Sequence, residues 1–186
     1  MGDMGLIPRI QQFVAKKILI WASRSGETTP VVNDHELHGV SPEMITWWCD
    51  HIDTTERYKL WHPKDHIFFM WTVSPEKGHV GAISRCTEKI AGIPMTFDIR
   101  WEDPKSVTTE FQYVHVASIV ADDETVVMRF MHEYEAAPYG TKMRSTFYVP
   151  KKVLSFVKKG LKKHNREEMG NFQTFLPKLY KQTSGK

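Results

Sequence analysis

Near the end of the chain, the run His164-Asn-Arg-Glu-Glu168 sets a histidine and a glutamate four residues apart. On a helix these two side chains leave the same face, which is the spacing of a pair of metal ligands. The helix that carries them is traced from Pro150, suited to a first helical position, to Gly170, suited to a C-terminal stop. Val153, Leu154, Val157 and Leu161 recur at intervals of three and four, and the same stripe continued lands on His164 and Glu168. Lys158, Lys159, Lys162 and Lys163 fall largely elsewhere. A helix that buries this stripe takes a carboxylate inward, where leaving it uncompensated costs several kcal/mol or protonates it. A divalent metal, a buried arginine or a hydrogen-bond network are the three ways to compensate it.

If a metal sits under this helix, its other ligands come from strands that face the helix. Four groups occupy otherwise apolar strand faces. Glu88 alternates with Val80, Ala82, Ser84, Cys86 and Ile90, and His66 opens the aromatic run Ile67 to Val73. His132 alternates with Val126, Met128, Phe130 and Tyr134, and His115 lies beside Phe111, Tyr113 and Ala117. Any one of these histidines taken singly reads as a core histidine bonded to backbone. Two histidines and two carboxylates together suit zinc, which takes nitrogen and oxygen ligands at about 2.0 to 2.2 Å, and ligand type leaves manganese and iron open. Cys49, beside Trp47 and Trp48, reads as a packed residue, and no Ser/His/Asp order, glycine-rich phosphate loop or dinucleotide fingerprint competes.

The elements that must position these groups are readable from periodicity. Residues 1–22 form an N-terminal basic amphipathic helix, in which Phe13, Val14, Ile18, Leu19 and Ile20 surround Arg9, Lys16 and Lys17. It docks on its own domain or lies on a membrane surface, and no run approaches the roughly 20 apolar residues of a span. Residues 23–40, rich in Ser, Gly, Thr, Pro, Asn and Asp, are expected to be a loop. Ser41-Pro42-Glu43 starts a helix with a hydroxyl cap, a first-position proline and an acidic first turn. From His66 the pattern changes to alternation, giving strands at 67–73, 80–90, 93–101, 107–120, 125–134 and 141–149. Residues 41–180 thus form an α+β core within a single domain, an antiparallel sheet whose concave face is crossed by the last helix. The cavity between them is expected to be walled by Trp71, Phe97, Trp101, Phe111 and Phe130.

Composition limits the function classes. A formal net charge of +3 is too mild to argue for nucleic acid, and 12% aromatic residues suit a greasy cavity. Two cysteines without a CxxC pair suggest a reducing, cytoplasmic setting. A secretory signal is a poor fit, because charge breaks the apolar stretch. A homodimer stays open.

Four stretches taken together resemble the zinc-dependent 2,4-diacetylphloroglucinol hydrolase family: Ser41-Pro-Glu-Met-Ile-Thr-Trp-Trp48, Glu56-Arg-Tyr-Lys-Leu-Trp-His-Pro-Lys-Asp-His66, Pro138-Tyr-Gly-Thr-Lys-Met-Arg-Ser145, and His164 through Tyr180. The resemblance implies a helix-grip fold of the Bet v 1/START type and zinc held by His66, Glu88, His164 and Glu168. It also implies catalytic roles for Tyr58 and His132, while Phe69 stands where the family hydrolase has a polar substrate contact. The implied reaction hydrolyses a carbon–carbon bond adjacent to a ketone in a phenolic or cyclic polyketide-like compound, so the implied substrate is a small apolar ketone or acylphenol. Two other classes remain on the same fold: a cyclase or isomerase of secondary metabolism, and a non-catalytic carrier of an apolar ligand.

Overall fold

Seven strands pair into one antiparallel sheet in the order β1-β7-β6-β5-β4-β3-β2. They are β1 (Thr28–His38), β2 (His66–Val73), β3 (Ile83–Ile90), β4 (Ile93–Glu102), β5 (Tyr113–Val120), β6 (Val126–Ala137) and β7 (Gly140–Pro150). The helices are α1 (Leu6–Ser23), α2 (Pro42–His51), α3 (Thr55–Trp61) and α4 (Ser155–Ser184). This computed structural model describes residues 6–76 and 78–184. Residues 1–5 of the expected N-terminal helix lie outside the described residues.

The stretch 23–40 is not a loop, because β1 occupies most of it. Its buried positions are Val31, Asn33, His35 and Leu37, a strict alternation in which two of the four inward side chains are polar. An edge strand that buries asparagine and histidine hides its period from a hydrophobicity reading. The strand expected at 107–120 begins only at Tyr113, after a 3-10 turn over Pro104–Ser106 whose first amide is capped by the Asp103 side chain. The strand expected from residue 80 begins at Ile83.

The C-terminal helix also departs from expectation at both ends. Pro150 closes β7, and α4 starts at Ser155 and runs through Gly170 to Ser184. Leu154, assigned to the buried stripe, is 62% exposed. Beyond Glu168 the stripe continues with Met169, Phe172 and Leu176, all fully buried. Burying these side chains, at about 1.5–3 kcal/mol each, outweighs the roughly 1 kcal/mol that a mid-helix glycine costs. Another glycine of α4 has a steric reason. A Cβ on Gly160 would stand 2.6 Å from the Ala91 Cβ, so α4 crosses the tight β3–β4 turn at closest approach there.

Helix α2 starts as its sequence implies, with Ser41 Oγ accepting the Met44 amide and Pro42 in the first turn. Helix α1 docks on the domain, burying Ala22 and packing Leu19 and Ile20 against the core, and Lys16 Nζ pairs with Asp122 at 2.6 Å. No helix among the described residues is long and apolar enough to cross a membrane.

Candidate metal centre

Three elements converge under the middle of α4. His66 and Glu88 are cross-strand partners of β2 and β3, and α4 brings His164 and Glu168 down from the opposite side. A β-bulge follows His66, so that His66 and Phe69 are both buried although they lie three positions apart. His66, His164 and Glu168 place one ligand atom each within 4.8 Å of the others. His66 Nε2 lies 3.4 Å from Glu168 Oε1, and His164 Nε2 lies 3.4 Å from Glu88 Oε2. Two donors on a shared tetrahedral centre at about 2.0–2.1 Å stand roughly 3.3 Å apart, so each pair is spaced as zinc ligands are, with Glu88 joined to the three-residue group through His164.

Unused hydrogen-bonding capacity points the same way. His66 Nε2 and both ring nitrogens of His164 are buried without a hydrogen-bond partner, a condition rarely left in a folded interior. The other nitrogen of His66 is taken: Nδ1–H donates to the Tyr58 carbonyl at 3.0 Å, which leaves the Nε2 lone pair facing the cluster. Tyr58 also donates its hydroxyl to Glu88 Oε1, and the Cys86 thiol points to the same oxygen at 3.6 Å. Glu88 Oε2 stays free for the centre.

On their own, these side chains hold Glu88 ionised and His164 protonated, a proton that a bound metal would have to displace. Burial pushes the Glu88 carboxyl up, but the His164 contact, the charges of His66 and His164 and the Tyr58 hydroxyl together hold it down to about 2. Burial pushes His164 down, and Glu88, then Glu168 and Asp65, lift it to about 9. Burial raises the Tyr58 phenol well above its usual value, and the nearby Cys86, Glu88 and Glu168 add to this. It is therefore a hydrogen-bond donor and not a phenolate.

His62 and Asp65, missed in the sequence, back His164 from behind. Asp65 Oδ2 lies 3.7 Å from His164 Nδ1, and the His62 ring stacks on that of His164 at 4.6 Å with 5° between planes. Rings in parallel planes cannot both aim in-plane lone pairs at one ion, so this trio supports His164 and is not a second metal site.

The centre opens on a cavity of about 120 Å³ between α4 and the sheet. Tyr58, Glu88, His164 and Glu168 line one part of it, and His115 and His132 line it from β5 and β6. Of the expected wall residues, Phe97, Trp101 and Phe130 are present and Trp71 and Phe111 are absent. Trp71 donates its indole N–H to the Ile52 carbonyl at the β2 edge. Phe111 precedes β5 and lies under the cations of Lys142 and Arg144. Phe69 lines the cavity as an apolar wall. All six site residues of the sequence analysis are thus in one place, with His66 set behind Tyr58.

Residues 20–181 match the DAPG hydrolase PhiG domain. The chain belongs to this family. A search of curated proteins returned no match. Among solved structures, the chain is similar to the KanY protein, with 9% identity and a TM-score of 0.56 over 80% of this chain and 97% of that one. It is similar to protein NE0264 from Nitrosomonas europaea, with 15% identity and a TM-score of 0.54 over 84% of this chain and 97% of that one. Ara h 8.0201 gives 15% identity and a TM-score of 0.54 over 80% and 98%. At these identities the likeness is one of fold, and that fold is the Bet v 1-like helix grip. The family assignment makes the chain a hydrolase-family domain with His and Glu groups placed to hold a metal.

Proposed function

We propose that this chain is a zinc-dependent hydrolase that cleaves a carbon–carbon bond adjacent to a ketone in a small phenolic or cyclic polyketide-like compound. The observation that carries the reading is the convergence of His66, Glu88, His164 and Glu168, with unpartnered imidazole nitrogens, at the wall of an otherwise apolar cavity. A zinc ion bound there supplies a polarised ketone oxygen and a water acidified to a pKa of about 7.

The chain's own residues account for the rest. Apolar walls from Phe97, Trp101 and Phe130 exclude bulk water and favour an uncharged ring. The cavity volume, about 120 Å³, lies below the usual 300–1,000 Å³ of ligand pockets and near the roughly 150 Å³ that holds one benzene ring, which favours a single-ring substrate. Water adds to the carbonyl carbon, and the carbon–carbon bond breaks with its electron pair left on the departing ring carbon. That carbon takes a proton, releasing a carboxylic acid. A phenol or 1,3-dicarbonyl on the departing side delocalises the charge. Tyr58 or His132, both lining the cavity, delivers that proton.

Elemental analysis of protein purified without chelator, followed by incubation with monocyclic acylphenols, tests the reading. One zinc per chain and release of the carboxylic acid with one water consumed are expected. Less than about 0.1 equivalent of any transition metal after zinc reconstitution removes it. Stoichiometric zinc with ring closure or isomerisation and no acid release replaces hydrolysis by cyclase chemistry.

A further inference from the structure

A buried polar chain runs from α4 through the edge strand β1 to the cavity histidine, and its donor directions can be worked out link by link. Asn33 Nδ2 donates to the Lys162 carbonyl at 2.9 Å, which orients the Asn33 amide, because a carbonyl only accepts. The second hydrogen of that NH₂ points at Asn165, 2.8 Å away, so the Asn165 atom facing it is the oxygen. The opposite orientation of Asn165 would set two NH₂ groups face to face, even though the chosen one leaves Asn165 Nδ2 unpartnered. Asn165 Oδ1 also lies 3.2 Å from His35 Nε2, and since that oxygen can only accept, His35 carries its proton on Nε2.

The direction then passes to the sheet. Ser145 Oγ sits 3.2 Å from His35 Nε2 and 2.8 Å from His132 Nδ1. A protonated His35 Nε2 has no lone pair to offer, so its one hydrogen is shared between Asn165 Oδ1 and Ser145 Oγ; the Ser145 hydroxyl, whose only other partner among the described residues is His132, then directs its own hydrogen to His132 Nδ1. With Nδ1 accepting, the neutral His132 ring holds its proton on Nε2, the nitrogen that makes no hydrogen bond among the described residues and belongs to a ring lining the cavity. Every link is buried: Asn33, His35, Ser145 and Asn165 are each less than 8% exposed.

We propose that Asn33, Asn165, His35 and Ser145 are positioning residues that lock His132 as the Nε2–H tautomer, a neutral donor aimed at an oxygen of the substrate. The proposal rests on the hydrolase reading for the identity of that oxygen, a carbonyl or ring oxygen of the acylphenol. The tautomer itself does not depend on that reading. The chain ties the donor to the metal centre as well, since Asn165 directly follows His164 on α4. One helix therefore positions His164 and, through the three hydrogen bonds Asn165–His35, His35–Ser145 and Ser145–His132, the donor across the cavity. A side chain here that only fills space would not need a defined proton direction.

The test is a long-range ¹H–¹⁵N correlation spectrum of the zinc-reconstituted full chain labelled at histidine nitrogens, with His132 assigned by comparison with His132→Gln. The expected pattern for His132 is Nε2 protonated and Nδ1 unprotonated. Ser145→Ala should collapse this to a mixture of tautomers while zinc content stays at one per chain, and Ser145→Thr, which keeps the hydroxyl, should restore it. With a monocyclic acylphenol, Ser145→Ala should lower kcat about tenfold with a smaller change in KM, and Ser145→Thr should recover most of it. Absence of turnover in every variant, wild type included, overturns the hydrolase reading and leaves the tautomer result standing. A His132 found Nδ1-protonated in the wild type, or unchanged in Ser145→Ala, overturns the proposal.

Discussion

The phenol ring of Tyr58 lies flat on the imidazole of His66, with centroids 3.9 Å apart and planes within 8° of parallel. The same residue receives the His66 Nδ1–H on its carbonyl and gives its hydroxyl to Glu88. Tyr58 therefore holds two of the four candidate ligands, His66 and Glu88, by three separate contacts. Its spacing from His66 reflects this: helix α3 ends between them, folding residue 58 back over residue 66.

For Tyr58→Phe the ring contact survives and only the hydroxyl is lost. Zinc affinity should fall by about 10- to 100-fold, the usual effect of removing a group that orients a ligand. Turnover at saturating zinc should fall by roughly 10- to 10⁴-fold if the hydroxyl also serves the substrate. Competition with a zinc chelator measures the first and steady-state kinetics the second. Full activity at saturating zinc would confine the hydroxyl to orienting Glu88 and leave His132 as the donor.

His164→Ala should lose zinc and activity together, and the melting temperature of the variant should no longer respond to added zinc. The native chain, by contrast, should melt at a lower temperature after chelation, because ligand that binds only the folded state stabilises it by mass action. A native melting curve indifferent to chelator would count against a bound metal.

Gly160→Ala offers a test of the packing between α4 and the β3–β4 turn. On an unobstructed helix this change gains up to about 1 kcal/mol. Here the added methyl meets Ala91 at 2.6 Å, and overpacking of this kind costs about 1–3 kcal/mol. Denaturant unfolding should show net destabilisation, and since Glu88 lies just before that turn, weaker zinc binding should accompany it. A more stable variant would refute the close approach.

Acid should destabilise the fold through the cavity histidines. Burial, with the neighbouring histidines adding to it, pushes His115 down to about 4; burial likewise holds His132 at about 4. Both are neutral in the folded state and take up a proton near pH 6.5 once unfolded. Their contribution is thus complete above about pH 6.5 and is lost as pH falls towards 4, on the order of 3 kcal/mol for each. His115→Gln keeps a partner for the Tyr134 hydroxyl, 2.7 Å from His115 Nε2, and should flatten the stability–pH slope in that window. An unchanged slope would show that His115 already binds its proton in the fold.

Much of this site could be read from local pattern. The inward placement of His164 and Glu168 on α4 follows from helical spacing, and that of Glu88 from alternation along β3, since both periods are carried by apolar neighbours. The boundaries failed where that carrier was missing. Strand β1 looked like a loop because Asn33 and His35 occupy its inward positions, and those two residues are the ones that reach α4 and Ser145. His62 and Asp65 escaped notice because their relation to His164 spans about a hundred residues and has no local signature. Gly170 suggested a helix end because its cost is local, whereas the burial of Phe172 and Leu176 that overrides it is tertiary.

Both edges of the sheet bear polar parts of the site, Asn33 and His35 on β1 and His66 on β2, and α4 is the element that meets both. On the ribosome, α4 emerges after every strand. Until it does, the concave face that will become the cavity wall is a broad apolar surface with no cover, presented by a sheet whose two edge strands are both unpaired on their outer sides. The nascent chain therefore passes through its most adhesive state before α4 follows, and binding competence arrives in one step with that helix.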